Sequence, residues 1–310
     1  MGRKDSTTKS EGGEPLEHVE NEPNQPRTIG SSMNDSEIRK HWQNWAQEYG
    51  TGLRATTKRP SAKELEIDAL ARHFRTVAVP ERSFDVLEVG CGNGHNLLAL
   101  AELFPQAQFT GVDYVPEMIA ATKTSLKGLP PSTADRIRLH VGDVLDLSAI
   151  GGLLPQYDVV FTDRCLINLN TAQKQTLAIE ELGRRLKPTG SLILIENSLQ
   201  TYESQNDCRE ILGLHRRVPE KFNLFFDETV ILPHLHQLFH SVDIEDFISF
   251  HDLVLYVLTP LLCNGKVDHS HPLVEAAKKL NITISQSRPS AFGCFGQNRL
   301  YHCRRHAGRK

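Results

Sequence analysis

The 310-residue chain has a net charge of −3, 39% hydrophobic residues and 21 glycines, which is enough apolar material for a sizeable core. Its first 36 residues carry four bases and seven acids, the whole of the net charge, while the other 274 balance at 31 bases and 31 acids. A neutral body lacks the clustered Lys and Arg that a nucleic-acid backbone requires, and six scattered cysteines without a CxxC pair exclude a disulfide scaffold and the usual zinc spacings.

Residues 1–36 are rich in Ser, Thr, Glu, Gly, Pro and Asn and are predicted to form a disordered leader. They contain no apolar signal region. The longest apolar stretch, 253–263, is about half a membrane span and contains Pro260, so the chain is expected to be cytoplasmic with no membrane partner. A first helix is predicted over 36–49, where Ile38, Trp42, Trp45 and Tyr49 form one stripe. That stripe either packs on a core or closes as a lid over a ligand. A second helix follows Pro60, with Ser61 and Glu64 at capping-box spacing and an apolar face of Ile67, Leu70, Ala71 and Phe74.

From residue 84 the chain alternates strand and helix. Strands are predicted at 84–89, 108–112, 137–141, 157–162, 191–196, 241–248 and 297–303. Helices are predicted at 96–104, 116–126 and 171–187, the last capped by Asn170 and Gln173. This order implies an α/β fold, a doubly wound, mostly parallel seven-stranded sheet. The interval 197–240 exceeds a single crossover and is expected to hold helices near 203–213 and 227–238 that shape a ligand pocket. Arg299, Arg304, Arg305, Arg309 and Lys310 read as a solvated basic terminus.

The first strand ends Phe84-Asp85-Val86-Leu87-Glu88-Val89 and runs into Gly90-Cys91-Gly92-Asn93-Gly94 before a helix. Glycines let backbone N–H groups approach a ligand, and the helix dipole favours negative charge there. The spacing is GxGxG rather than the GxGxxG of dinucleotide folds. Glu88 would repel a pyrophosphate but suits an ammonium or sulfonium. Asp113 ends the second strand 19 residues after Gly94, Asp143 and Val144 follow the third, and Tyr157 to Asp163 form the fourth.

In these motifs the sequence resembles the class I S-adenosylmethionine (SAM)-dependent methyltransferases. The resemblance covers 84–196 well and 197–310 poorly. It implies SAM as cofactor, held by Glu88, Gly90, Cys91, Gly92, Asn93, Gly94, Asp113, Tyr114, Asp143, Val144 and Asp163, with Trp45 and Tyr49 closing over it. On this reading 1–36 is a leader and 37–310 one domain. Its parts are cap helices (37–80), a SAM-binding core (84–196), a substrate insert (197–240) and the end of the sheet (241–310).

On the acceptor side, Asp163 and Arg164 leave the fourth strand beside the expected methyl. Asp163 can contact the methionine end of SAM or take a proton, and Arg164 can orient an anion. The competing reading is an ion pair with the first helix or with 197–240. Asn168, Arg216, Arg217 and Phe225 are candidate substrate contacts, and His215 a further catalytic candidate. The cations at 215–217 beside the aromatics at 222–226 suit a phosphate or carboxylate, or else form a surface loop packed by its phenylalanines. No metal is expected.

The expected reaction is methyl transfer to oxygen or nitrogen of a small molecule, such as a sugar or natural-product intermediate, with no nucleic-acid partner. The alternatives are an RNA or protein methyltransferase, a dehydrogenase, and a non-catalytic SAM-binding regulator. The oligomeric state is left open. The ribose assignment predicts that Asp113→Ala weakens SAM binding at least tenfold by calorimetry, and an unchanged affinity would sink it.

Overall fold

The computed structural model describes residues 32–78 and 82–305. Most of the expected leader, 1–31, and the last five residues, with Arg309 and Lys310, lie outside the described residues. The end of that leader is ordered. Asn34 caps α1 (Asp35–Tyr49) through a capping box, its side chain accepting from Glu37 N while the Glu37 carboxylate accepts from Asn34 N.

The second helix, α2 (Pro60–Val77), starts at a proline, where a missing N–H costs nothing. The expected capping box at Ser61 and Glu64 does not form. Ser61 Oγ hydrogen-bonds His251 Nε2 at 2.8 Å, and the Glu64 carboxylate accepts from Lys278. The chain then runs β1 (Phe84–Val89), α3 (His95–Leu103), β2 (Ala107–Asp113), α4 (Pro116–Leu126), the short α5 (Pro131–Ala134), β3 (Ile137–Val141), β4 (Tyr157–Asp163), α6 (Ala172–Arg184) and β5 (Leu186–Asn197). Thr171, not Asn170, caps α6 by accepting from Lys174 N.

Two helices, α7 (Leu199–Ile211) and α8 (Glu228–Leu238), precede β6 (Ser241–Glu245). Next come α9 (Ser249–Leu253), a π-helical segment (Val254–Leu258), α10 (Thr259–Leu262), α11 (Pro272–Ser285) and β7 (Asn298–Arg304). The 241–310 region therefore does more than end the sheet. The apolar run 253–263 has no strand alternation, and its Val254, Leu255 and Tyr256 pack on Val274 and Ala277 of α11. Nor is the C-terminal basic run free of acids. Arg299 pairs with Glu228 and Asp246, Arg304 pairs with Asp243, and Arg305 donates to backbone carbonyls.

The sheet order is β3-β2-β1-β4-β5-β7-β6, parallel except where β7 pairs with β5 and β6. This is the predicted doubly wound, mostly parallel fold. Successive strand residues feed opposite faces. Val86, Phe109 and Phe161 pack under α2 and α3, while Leu87, Val160 and Leu192 pack under α6 and α8. The chain leaves β1 toward one edge and returns at β4 toward the other. Their carboxyl ends flank the crevice where α/β sheets bind ligands. No helix among the described residues is long and apolar enough to cross a membrane.

Phe74 anchors α2 on this sheet, fully buried with its ring centroid 5.5 Å from those of Phe104 and Phe161. Phe74→Ala should lower stability by about 3–5 kcal/mol, read as a drop in the urea midpoint with an unchanged slope.

Candidate active site

The turn after β1 folds back on the sheet. Gly90 N and Cys91 N both donate to the Val112 carbonyl, at 2.8 and 3.0 Å. Gly90 has φ +76°, and a Cβ there would lie 2.4 Å from Cys165 Sγ, so the turn needs glycine for both conformation and space. Gly92 N donates to Asp113 Oδ2 at 2.8 Å, and Val115 N donates to Asp113 Oδ1 at 2.9 Å. Each Asp113 oxygen keeps a second lone pair for a ligand. Burial pushes the Asp113 pKa up to about 6 against these two donors. Asn93 donates to the carbonyls of Gly50 and Gly52, tying the turn to the end of α1.

A buried charge network lies beneath. Lys63 Nζ of α2 donates to Asp163 Oδ2 at 2.5 Å and pairs with Glu66 Oε2 at 2.7 Å. Arg164 pairs with Glu66 at 3.0 Å. Asn96 Nδ2 bridges Glu88 Oε1 at 2.8 Å and Asp163 Oδ2 at 3.0 Å. Burial alone would raise the Asp163 pKa, but Lys63 and Arg164 override it and hold the carboxylate below its ordinary range. Burial also opposes charge on Lys63, and Asp163 and Glu66 outweigh it. Among the described residues Glu88 forms no ion pair, and burial, with help from Asp163, outweighs the Asn96 hydrogen bond and the charge of Lys63 and raises it well above the usual carboxyl value. The expected alternatives for Asp163 and Arg164 were pairs with the first helix or with 197–240, but their partners come from α2.

Arg164 has φ +54°, a strained value for a residue with a Cβ, held by its pair to Glu66 and by its N–H to the Ile195 carbonyl at 2.7 Å. Glu196 clamps the same loop, accepting from Thr162 Oγ1, Cys165 N, Leu166 N and Ile167 N. Burial and then Glu196 push the Cys165 thiol well above its usual pKa, so it stays protonated.

A cavity of about 380 Å³ opens over these loops. Among the sequence candidates it is lined by Trp45, Glu88, Gly90, Cys91, Gly92, Asn93, Asp113, Tyr114, Asp163, Arg164, Asn168 and Arg217. Trp42 also lines it and donates its indole N–H to Asn168 Oδ1 at 3.1 Å, so the α1 stripe both packs and covers.

Other candidates sit elsewhere. Tyr49 packs against Trp45 behind the wall. Gly94 begins α3, with Thr122 against it. Asp143 is exposed and caps its own turn through Leu145 N, and Val144 is buried in the opposite core. His215 is exposed, and Arg216 is held by Glu203, Asp207 and Glu210. Phe225 is buried edge-on to Tyr202.

Lys63, Glu66 and Asn96 were missed. Their signal was available: charged residues 63 and 66 share the spacing of Leu70 and Phe74, which puts them on the buried face of α2.

A family model described as a methyltransferase domain matches residues 87–192. Residues 87–192 therefore form a methyltransferase domain, and there the chain is similar to the class I SAM-dependent methyltransferases. It is 28% identical over 186 residues to a malonyl-acyl-carrier-protein O-methyltransferase of Priestia megaterium, covering 59% of this chain and 60% of that one. It is 27% identical over 166 residues to the Bacillus cereus protein of the same name, covering 53% and 54%. The chain thus spans under two thirds of the length of these relatives. The protein solved in complex with the Haloferax volcanii Trm112 methyltransferase activator is 16% identical, with TM-score 0.51 over 86% of this chain and 98% of that one, and shares the fold.

SAM is the cofactor of this methyltransferase family, and the residues present fit it. Glu88 Oε2 is buried without a hydrogen-bond partner, so an acceptor is available for a cationic ligand. The Gly90–Gly92 backbone admits close approach, and Asp113 presents two oxygens. The Asp113 pKa of about 6 lies above the ordinary 3.8, so the folded chain holds this proton more tightly and the group's contribution to stability falls as pH rises across that window. For a ribose the ionised form is the better acceptor. The affinity for S-adenosylhomocysteine (SAH) should therefore fall as pH drops below about 6, and calorimetry on Asp113→Asn should find that dependence gone.

Proposed function

We propose that the chain transfers a methyl group from SAM to an oxygen or nitrogen of a small molecule. The observation that carries this reading is the shared cavity. One wall is Glu88, the glycine turn and Asp113, and the same space continues past Asp163 and Asn168 to Trp42, Trp45, Phe222, Arg217 and Tyr256. A space of about 380 Å³ is in the range of small-molecule sites. The balanced charge of residues 37–310 supports an acceptor other than nucleic acid.

On this reading Glu88, the 90–93 turn, Asp113 and Tyr114 hold the cofactor, and Trp42 and Trp45 exclude water above it. Bound SAM supplies a methyl group activated on a sulfonium sulfur. The protein's part is alignment, which can be worth about 7–11 kcal/mol. Asp163, kept ionised by Lys63 and Arg164, is a poor proton acceptor and suits contact with a cation. Helix α1, the segment 217–223 after α7 and the segment 256–269 frame the acceptor side.

The test incubates the full chain with SAM and, separately, a metabolite extract, total RNA and a protein extract, and measures SAH. Release with the metabolite fraction is expected. Release with RNA or protein alone would point to a macromolecular acceptor. SAM binding with no release in any arm would make the chain a binder.

A further inference from the structure

The far end of the cavity is built from Arg59, Arg217, Tyr256 and His269. Tyr256 sits in the π-helical segment, where the wider turn takes side chains out of α-helical register, a device frequent at functional sites. Its hydroxyl accepts from Arg59 Nη1 at 2.9 Å. The Arg217 guanidinium stacks on its ring, with Cζ 3.4 Å from the centroid. Arg209 donates to its carbonyl. Three guanidiniums therefore converge on one tyrosine.

Among the described residues, none of the three forms an ion pair with a carboxylate. Arg217 is oriented by neutral amides, donating to Gln205 Oε1 at 2.5 Å and Gln297 Oε1 at 2.7 Å. Arg209 donates to the carbonyls of His215 and Tyr256. Asp252 and Glu66 act on Arg59 from a distance. Asp252 is committed to His251 and Gln297 N, and Glu66 to Lys63, Arg164 and Asn298. The neighbouring Arg216 takes all three nearby α7 carboxylates, Glu203, Asp207 and Glu210.

Amides fix the direction of a guanidinium without neutralising it. Clustered like charges repel more strongly where water is excluded, and an anion relieves that repulsion. Arg217 uses two of its five N–H groups on the glutamines and Arg59 one on Tyr256, so donors remain for at least two oxygens. Burial and the charges of Arg59, His251 and Arg217 lower the His269 pKa, which keeps this rim imidazole neutral.

We propose that Arg59 and Arg217, braced on Tyr256, form a subsite for the carboxylate or phosphate oxygens of the methyl acceptor, which is an anionic small molecule. The proposal rests on the methyltransferase reading above, because it assigns the far half of that same cavity to the acceptor.

The test uses the full chain loaded with SAH. Benzoate and phenyl phosphate are the probes, benzamide is the uncharged isostere, and binding is read by calorimetry. Benzoate or phenyl phosphate should bind at least tenfold more tightly than benzamide, and the stronger of the two identifies the anion. Arg59→Gln and Arg217→Gln should each weaken anion binding at least tenfold while the SAH affinity stays within twofold. Equal binding of benzamide, or no binding of either anion, overturns the proposal in the wild-type protein even if a variant fails to fold. Loss of SAH affinity in Arg59→Gln also overturns it, by assigning Arg59 to the cofactor's own carboxylate. Failure of the wild-type chain to bind SAH would instead strike the cofactor reading.

Discussion

The pairing of Lys63 with Asp163 and Glu66 decides where the rest of the site stands. Two cations, the buried Lys63 and the part-buried Arg164, face two buried carboxylates, Glu66 and Asp163, so the set is balanced in charge. Removing one partner from such a set costs about 3–5 kcal/mol, because a buried charge is left alone. The network joins α2 to the end of β4, to α3 through Asn96 and to the start of β7 through Asn298. Glu88 stands at its edge with a raised pKa and one unpartnered oxygen. A cationic ligand there would favour its ionised form, so cofactor binding and local electrostatics are coupled.

Around this network the loops are held by single buried polar residues that each serve several backbone groups. Glu196 gathers the donors of 162–167. Asn93 gathers the carbonyls of Gly50 and Gly52, which brings the end of α1 to the glycine turn. Trp42 reaches Asn168 from the same helix. The covering helix is thus attached to both loops of the β1/β4 crevice, and the strained Arg164 backbone is maintained by contacts on either side.

Adjacent residues can have opposite roles once the chain is folded. Arg216 points to the acids of α7 and is neutralised, whereas Arg217 turns inward onto Tyr202 and Tyr256. The second excursion, between β6 and β7, supplies Tyr256 and His269 to a wall begun by α1 and by the segment after α7. The acceptor half of the cavity is therefore assembled from three places far apart in the chain.

The amino-acid order by itself determined the sheet and its cofactor edge. Strand alternation, the GxGxG turn and the acids at strand ends act within a few residues, and β1 to β4 appear within a residue or so of their predicted bounds. Glu88, Gly90, Gly92, Asp113 and Asp163 meet because a doubly wound sheet brings the ends of β1, β2 and β4 together. Tertiary structure alone decided the rest. The spacing of Lys63 and Glu66 with Leu70 and Phe74 places them on the buried face of α2, but their partners Asp163, Arg164 and Asn298 are set only by the fold. Asp143 and Phe225 read as contacts until packing left one exposed and the other enclosed. The region 241–310, expected only to end the sheet, also holds the helices of 249–285, and this excursion brings Tyr256 and His269 to the cavity beside Arg59. Burial, charge compensation and the direction of a side chain depend on what folds against it, and those neighbours can lie 197 residues away, as with Arg59 and Tyr256, or 232, as with Glu66 and Asn298.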